Sequence, residues 1–68
     1  MEQWFLLRTT LSYAEASIIK GVLEENQIPV QVLNQIDSSY VNFGDIKIYV
    51  PAHLQSLSEK LLGETLQN

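Results

Sequence analysis

The run Trp4-Phe5-Leu6-Leu7 lies close to the start of the chain and is bounded by polar residues. Its length and flanks are typical of a β-strand, which we place at about residues 3–9. Since successive strand residues point to opposite faces, Trp4 and Leu6 face one way while Phe5 and Leu7 face the other. Both faces of this strand therefore need to be covered by other parts of a protein.

A helix is predicted next, from about Tyr13 to Glu25. Ser12 and Glu15 have the spacing of a capping box, in which the serine hydroxyl accepts from a backbone amide and the glutamate reaches back. Two adjacent rows at i, i+3 or i, i+4 spacing predict one apolar stripe along the helix. The rows are Ala14, Ile18, Val22 and Ala16, Ile19, Leu23. We interpret Gly21, inside the helix, as a site of close packing on a sheet.

The first helix is expected to end before Pro29, because a proline disfavours helical geometry at the preceding residue. We expect Asn26 or Gln27 to end it in the left-handed conformation, which asparagine tolerates better than most residues do. A second strand then covers about residues 29–34.

The segment Ile46–Val50 alternates between apolar and polar residues, which predicts a third strand with Lys47 exposed. Pro51 fits the first turn of a second helix, where its missing amide costs nothing. This helix covers about residues 52–62 or a few residues beyond, with Gly63 as its C-terminal cap, and the alternative is that Leu66 extends its apolar stripe. Its apolar stripe is Leu54, Leu57, Leu61 and Leu62. The strand residues expected beneath both helices are Val30, Val32, Ile46, Ile48 and Val50.

Residues 35–45 show no clear period and are rich in residues that favour turns. A loop this long in so small a domain is usually functional or mobile, so we expect partner contacts here. The candidate contact residues are Asp37, Ser38, Ser39, Tyr40, Asn42 and Phe43. Phosphorylation at residues 38–40 is an alternative, although loop filler with one anchoring aromatic is favoured over it. The acidic residues of the loop do not have the spacing of a calcium site.

The order strand, helix, strand, strand, helix predicts an α+β fold in a single domain, residues 1–68. A right-handed crossover leaves room for the third strand between the first two. We expect the ferredoxin-like βαββα arrangement, a three-stranded antiparallel sheet with two helices on one face. The first strand then lies at an edge of the sheet, where its apolar residues invite another chain.

Two helices cover only one face of such a sheet. The other face should carry Leu33, Tyr49 and one of the two pairs from the first strand, an apolar patch of the kind that marks interaction sites. The candidate interface residues are Trp4, Phe5, Leu6, Leu33 and Tyr49. We expect a symmetric homodimer, formed by pairing sheet edges or by stacking open faces. The alternative is a monomer in which the tail around Leu66 covers that face.

Composition argues against several classes of function. The 68 residues include no Cys and a single His, His53, so we expect no metal site and no cofactor. Eight acidic residues against four basic ones argue against nucleic-acid binding. No apolar stretch reaches the ~20 residues of a membrane span, and no signal peptide is visible, so we expect a cytoplasmic protein without membrane binding. His53 has no evident catalytic partner in the sequence, so we expect no enzyme activity.

Segments spread over nearly the whole chain resemble one family of small bacterial domains. The segments are Ala14-Glu15-Ala16 through Gly21-Val22-Leu23-Glu24, then Ile28-Pro29-Val30, and finally Ile46-Lys47-Ile48-Tyr49-Val50-Pro51. They are similar to signal-transducing-protein domains of unknown function, which look like truncated relatives of the nitrogen-regulatory PII proteins. The resemblance implies a ferredoxin-like fold and partner contacts through the loop 35–45. The chain departs from this family at Gln27, where its members usually have glycine.

Function is therefore expected to be that of a non-enzymatic regulatory or interaction module, with PII-like signal transduction through the loop 35–45. The partner is a second copy, another protein or a small-molecule effector. The alternative is a small-molecule-binding domain or minor enzyme with a pocket at a subunit interface.

Overall fold

The computed structural model describes residues 3–34 and 46–65 of the chain. In this part of the chain the order is strand, helix, strand, strand and helix, with a short 3-10 helix before the last helix. The elements are β1 (Trp4–Thr10), α1 (Tyr13–Glu25), β2 (Gln31–Asn34), β3 (Ile46–Pro51), the 3-10 helix (Ala52–Leu54) and α2 (Gln55–Thr65). The strands form one antiparallel sheet in the order β1-β3-β2. The predicted α+β fold and the central place of the third strand are confirmed.

The hydrophobic core lies between the two helices and one face of β3. Ile46, Ile48 and Val50 are at most 1% exposed, which confirms the predicted register of this strand. Their side chains alternate with those of Lys47 and Tyr49, which point to the opposite face. The helices contribute Ala16, Ile19, Leu23 and Leu62 to this core, and Ile28 completes it.

Burial is weaker at the β2 edge than the strand pattern predicts. Val30 is half-buried, and Val32 is 36% exposed although its partner across the sheet, Ile48, is fully buried. The prediction that both valines are buried is therefore wrong for Val32 and holds only in part for Val30. The physical reason is that α1 packs mainly on β3 and β1, so an edge strand of four residues receives little cover. Lys47 is half-buried, whereas full exposure was predicted.

A β-bulge in β1 decides which of its residues face the helices. The register with β3 shifts between Leu6 and Arg8, so Leu7 is the extra residue. An extra residue reverses the sides to which the following residues point, and it turns Thr10 towards the helices. Thr10 is only 9% exposed, and its hydroxyl accepts a hydrogen bond from the Ser12 amide at 3.0 Å. The bulge therefore helps to set the turn that leads into α1.

The capping box predicted at the start of α1 is formed in part. Ser12 is the N-cap, and its side-chain oxygen accepts a hydrogen bond from the Glu15 amide at 3.1 Å. In a complete capping box the Ser12 amide would donate to the Glu15 side chain. Here the Ser12 amide donates to the Thr10 hydroxyl instead. The predicted bounds of α1 are confirmed at both ends.

The end of α1 is a Schellman motif. Gln27 has a φ of 61°, so the predicted left-handed residue is confirmed there. The Ile28 amide donates to the Leu23 carbonyl at 2.9 Å, and the Gln27 amide donates to the Glu24 carbonyl at 3.0 Å. Ile28 and Leu23 are both buried, which supplies the hydrophobic contact that usually accompanies this motif.

Only one of the two predicted apolar rows of α1 is buried. Ala16, Ile19 and Leu23 lie in the core, whereas Ile18 is 51% exposed and Val22 is half-buried. Ala14, in the same outer row, is exposed as well. The prediction of a wide stripe is wrong because a narrow three-stranded sheet contacts a smaller arc of the helix than a large core does.

Neither glycine inside a helix has the role predicted for it. A Cβ added at Gly21 would meet nothing within 4 Å, so close packing does not explain this glycine. Gly63 lies inside α2 rather than beyond its end, and a Cβ there would also meet nothing within 4 Å. The helix continues past Gly63 because glycine weakens a helix without ending it.

The second helix is also arranged differently from its prediction. Pro51 is the last residue of β3 and precedes the 3-10 helix, rather than lying within the first turn of a helix. Ser58 is fully buried, and its hydroxyl donates to the Leu54 carbonyl at 2.8 Å. Leu57, which was predicted to face the core, is 44% exposed. The small Ser58 thus occupies a core-facing place that the leucine pattern assigned to its neighbour.

Candidate interaction surface

The face of the sheet opposite the helices, called here the open sheet face, is formed by side chains from all three strands. The strand register brings them together, because residues directly opposite each other in antiparallel strands point to the same side. Tyr49 on β3 lies between Leu6 on β1 and Gln31 on β2. One step along, Lys47 lies between Thr9 and Leu33. Trp4 lies at the end of the face, paired with Pro51.

Large apolar side chains on the open sheet face are only partly covered. Trp4 and Leu6 are each 41% exposed, and Leu33 is 46% exposed. Tyr49, on the central strand, is half-buried between them. A shallow trough of about 240 Å³ runs across the face and is lined by Trp4, Gln31, Leu33 and Tyr49. The edge strands thus supply the walls of an apolar groove, and the central strand supplies its floor.

Charge is distributed unevenly between the two sides of the sheet. The residues that the structure describes include five glutamates, all of which lie in α1 or α2. The open sheet face carries Lys47 and no carboxylate among the described residues. The helical layer is therefore acidic, while the open sheet face is apolar with one positive charge.

The candidate interface residues are divided between the two faces. Trp4, Leu6, Leu33 and Tyr49 are brought together on the open sheet face. Phe5 is opposite Val50, is half-buried and packs against the core on the helix side. The structure therefore selects Trp4 and Leu6 as the outward pair of the first strand.

The candidate contact residues of the loop lie outside the described residues. These are Asp37, Ser38, Ser39, Tyr40, Asn42 and Phe43. The tail around Leu66, the predicted alternative cover for the open sheet face, also lies outside them. The loop connects β2 to β3, so its two ends are at Asn34 and Ile46.

Two residues of the open sheet face were missed as candidates by sequence reasoning. Gln31 lines the trough, and Lys47 is the one charged residue on the face within residues 3–34 and 46–65. A signal for Gln31 existed, since it is two positions before Leu33 and strand alternation puts both on one side. Apolar character, which identified the other interface residues, does not identify polar ones.

A second, smaller cavity of about 150 Å³ lies between α1 and β2. Tyr13 and Lys20 line it from the helix, and Val32 and Asn34 line it from the strand. The Asn34 side-chain amide donates to the Tyr13 hydroxyl at 3.0 Å across its mouth. This cavity explains why Val32 is poorly covered.

Within residues 3–34 and 46–65, no group of three or more His, Asp or Glu side chains is placed to hold a metal ion. None of the helices in these ranges is long and apolar enough to cross a membrane. His53 lies exposed in the 3-10 helix.

Comparison with known proteins gives no indication of function. No protein family, curated protein or solved structure matches the chain. The function of the chain is therefore inferred from its own residues and their arrangement.

Proposed function

We propose that this chain is a non-enzymatic interaction module in which the open sheet face binds a protein. The observation that carries the proposal is the exposure of three large apolar side chains on one face of the sheet, at 41% for Trp4 and Leu6 and 46% for Leu33. Water in contact with such a patch is unfavourable, and contiguous exposed patches mark interaction sites.

The chemistry of the face supports a protein partner. Trp and Tyr are enriched at the energetic centres of protein interfaces, where the surrounding contacts exclude water. Gln31 and Thr9 can supply hydrogen bonds at the margin of the patch, and Lys47 can pair with a carboxylate. A central apolar patch with a polar margin is the usual composition of an interface.

The proposal extends to the fold and to the signalling role. The βαββα order supports a ferredoxin-like fold, and the resemblance to PII-like domains supports a regulatory role through the loop 35–45. In this proposal the loop and the open sheet face are separate contact regions.

Binding of a small molecule is the second candidate, and the trough is the observation that favours it. Its lining is apolar, with the Gln31 amide as the polar group that could orient a ligand. The trough is open to solvent, however, whereas small-molecule sites usually enclose most of the ligand surface. The wide opening favours a protein over a metabolite.

The test compares two leucine variants of nearly equal exposure. Leu33 on the open sheet face is 46% exposed, and Leu57 on α2 is 44% exposed. Immobilised wild-type protein, Leu33→Lys and Leu57→Lys are each used to capture proteins from a lysate of the native host. We expect specific partners to be retained by the wild type and by Leu57→Lys, and lost with Leu33→Lys, because a lysine in a desolvated patch is unfavourable.

A thermal-shift screen with nucleotides and amino acids separates the two candidates. The interaction proposal predicts no saturable increase in melting temperature. A saturable increase that Leu33→Lys abolishes and Leu57→Lys preserves would instead support the small-molecule candidate, since a ligand that binds only the folded state raises stability.

A further inference from the structure

We infer that the occupant of the open sheet face is a second copy of this chain, stacked face to face about a two-fold axis. This inference rests on the proposed function, because it uses the same surface and names its partner. Two features of the described residues support it: the condition of the sheet edges and the placement of the charges.

Both edges of the sheet are poorly suited to pairing with another strand. β2 has only four residues. β1 is longer, but it contains the bulge at Leu7 and is followed there by the exposed Arg8. Short edge strands, bulges and edge charges are the features by which proteins prevent edge-to-edge association. Of the two arrangements open to a dimer, stacking of the faces is therefore favoured over pairing of the edges.

The charges also favour association through the open sheet face. The chain has a formal net charge of −4, and copies that met through their helices would bring carboxylates together. The five glutamates of the described residues are all on α1 or α2, on the other side of the sheet. Face-to-face stacking places these acidic layers on the two outer sides of the dimer, where their mutual repulsion is smallest.

The shape of the face is compatible with its own symmetry mate. In a two-fold dimer each surface serves as both ligand and receptor. Trp4 projects at one end of the trough, and Leu33 and Gln31 line it on the opposite strand. A two-fold axis through the neighbourhood of Tyr49 directs the Trp4 ring of each copy towards the trough of its partner. The Lys47 side chains have flexible stems, so their ammonium groups can reach the margin of the interface.

The size of the patch predicts a weak dimer. Its four apolar side chains expose an area on the order of 300 Å² in each copy. A stable interface of standard size buries ~800 Å² per partner, so the patch supplies only the central part of one. We therefore expect dissociation in the micromolar to millimolar range, where association can respond to protein concentration.

The experiment is sedimentation analysis of the full chain from micromolar to millimolar concentration. We expect the wild type to form a dimer and Leu57→Lys to match it. Leu33→Lys and Leu6→Lys should dissociate with a Kd about tenfold higher or more, since each places a charge inside the interface. Circular dichroism establishes that each variant is folded. A wild type that is monomeric over the whole range would overturn the inference, as would loss of the dimer in Leu57→Lys alone.

Isotope-filtered NMR on a mixture of labelled and unlabelled protein identifies the geometry. Face-to-face stacking predicts intermolecular contacts from the Trp4 ring to Leu33 or Tyr49 of the other copy. Intermolecular contacts between β1 backbone amides would show edge pairing and overturn the inference. Trp4 is the single tryptophan of the chain, so its fluorescence also reports the interface. Its emission should shift to shorter wavelength as the concentration rises, and Leu33→Lys should remove this shift.

The inference and the proposed function fail in different ways. A monomeric wild type that still loses its captured partners with Leu33→Lys would contradict the dimer and leave the interaction module standing. Dimerisation and capture that are both unaffected by Leu33→Lys and Leu6→Lys would contradict both proposals.

Discussion

The two faces of the sheet are built from similar residues but are covered to very different degrees. On the helix side, Ile46, Ile48 and Val50 are at most 1% exposed. On the open sheet face, Trp4 and Leu33 are 41% and 46% exposed. The difference arises because both helices follow their strands onto the same side, where they share one core. A strong apolar pattern in a strand therefore indicates that its apolar face is to be buried. It does not indicate whether the residues that bury it belong to the same chain or to another one.

The first prediction tests the energetic difference between the faces. Replacing Ile48 by Ala removes methyl groups from the core and leaves a cavity, so it should lower the free energy of unfolding by ~2–5 kcal/mol. Leu33→Ala on the open sheet face should lower it by less than ~1 kcal/mol. Urea denaturation at low micromolar concentration measures both values without contribution from self-association. Equal losses in the two variants would contradict the contrast between the faces.

A second prediction uses the neighbouring aromatics of β1, which point to opposite faces. Phe5→Lys places an ammonium group against the core, and it should lower the free energy of unfolding by ~2–3 kcal/mol. Trp4→Lys, by contrast, should cost less than ~1 kcal/mol and leave the protein monomeric. The two variants are compared by circular dichroism during thermal unfolding and by sedimentation. The reverse order of stabilities would mean that the orientation of β1 is wrong.

A third prediction concerns the backbone conformation of Gln27, which lies on neither face of the sheet and so serves as a reference for the comparison. Gln27 has a left-handed φ of 61°, which costs a residue with a Cβ ~1–2 kcal/mol. After the greater flexibility of glycine in the unfolded chain is taken into account, Gln27→Gly should raise the free energy of unfolding by ~0.5–1 kcal/mol.

Asn26→Gly is the matched control for the change at Gln27. Asn26 has a φ of −97°, and its side-chain amide donates to the Val22 carbonyl at 2.8 Å. Glycine loses this bond and gains no relief, so this variant should be less stable than the wild type. Destabilisation by Gln27→Gly would show that its side chain contributes more than the backbone strain costs.

The smallest effect is expected on the outer side of α1, which faces away from the sheet. The Cβ that Gly21→Ala adds has no neighbouring atom within 4 Å, and alanine is favoured over glycine in a helix interior. The variant should therefore gain ~0.5–1 kcal/mol, with a smaller gain for Gly63→Ala near the end of α2. Thermal unfolding of both variants provides the measurement. A loss of stability at Gly21 would reveal a packing contact on this side of the helix.

Much of the local structure was predictable because its signals are local. The Ser12 cap and Pro29 correctly bracketed α1, and the alternation of Ile46, Ile48 and Val50 correctly identified their buried face. The need for a left-handed residue after α1 was also local, and Gln27 meets it. These features depend on hydrogen bonds and side-chain directions within a few residues.

The residues of the candidate surface were predictable except for which of the two pairs of β1 residues belongs to it. The sequence indicated that Leu33, Tyr49 and one pair from β1 would share a face, and it treated the two pairs equally. Trp4 with Leu6 and Phe5 with Leu7 are alike in apolar character, so no local rule distinguishes them. Strand alternation places Gln31 on the same side as Leu33, but its position in the lining of the trough depends on neighbours across the strands.

The amino-acid sequence by itself determined the order of the elements, the bounds of α1 and the inward face of β3, because periodicity, capping and proline act at short range. The tertiary structure alone decided which side of β1 the helices cover and where the bulge at Leu7 reverses the alternation of this strand. It also decided that Ser58 rather than Leu57 is buried. These outcomes depend on how far each helix extends over the sheet and on which strand lies at an edge. Such contacts join residues far apart in the chain, and no spacing within a single segment records them.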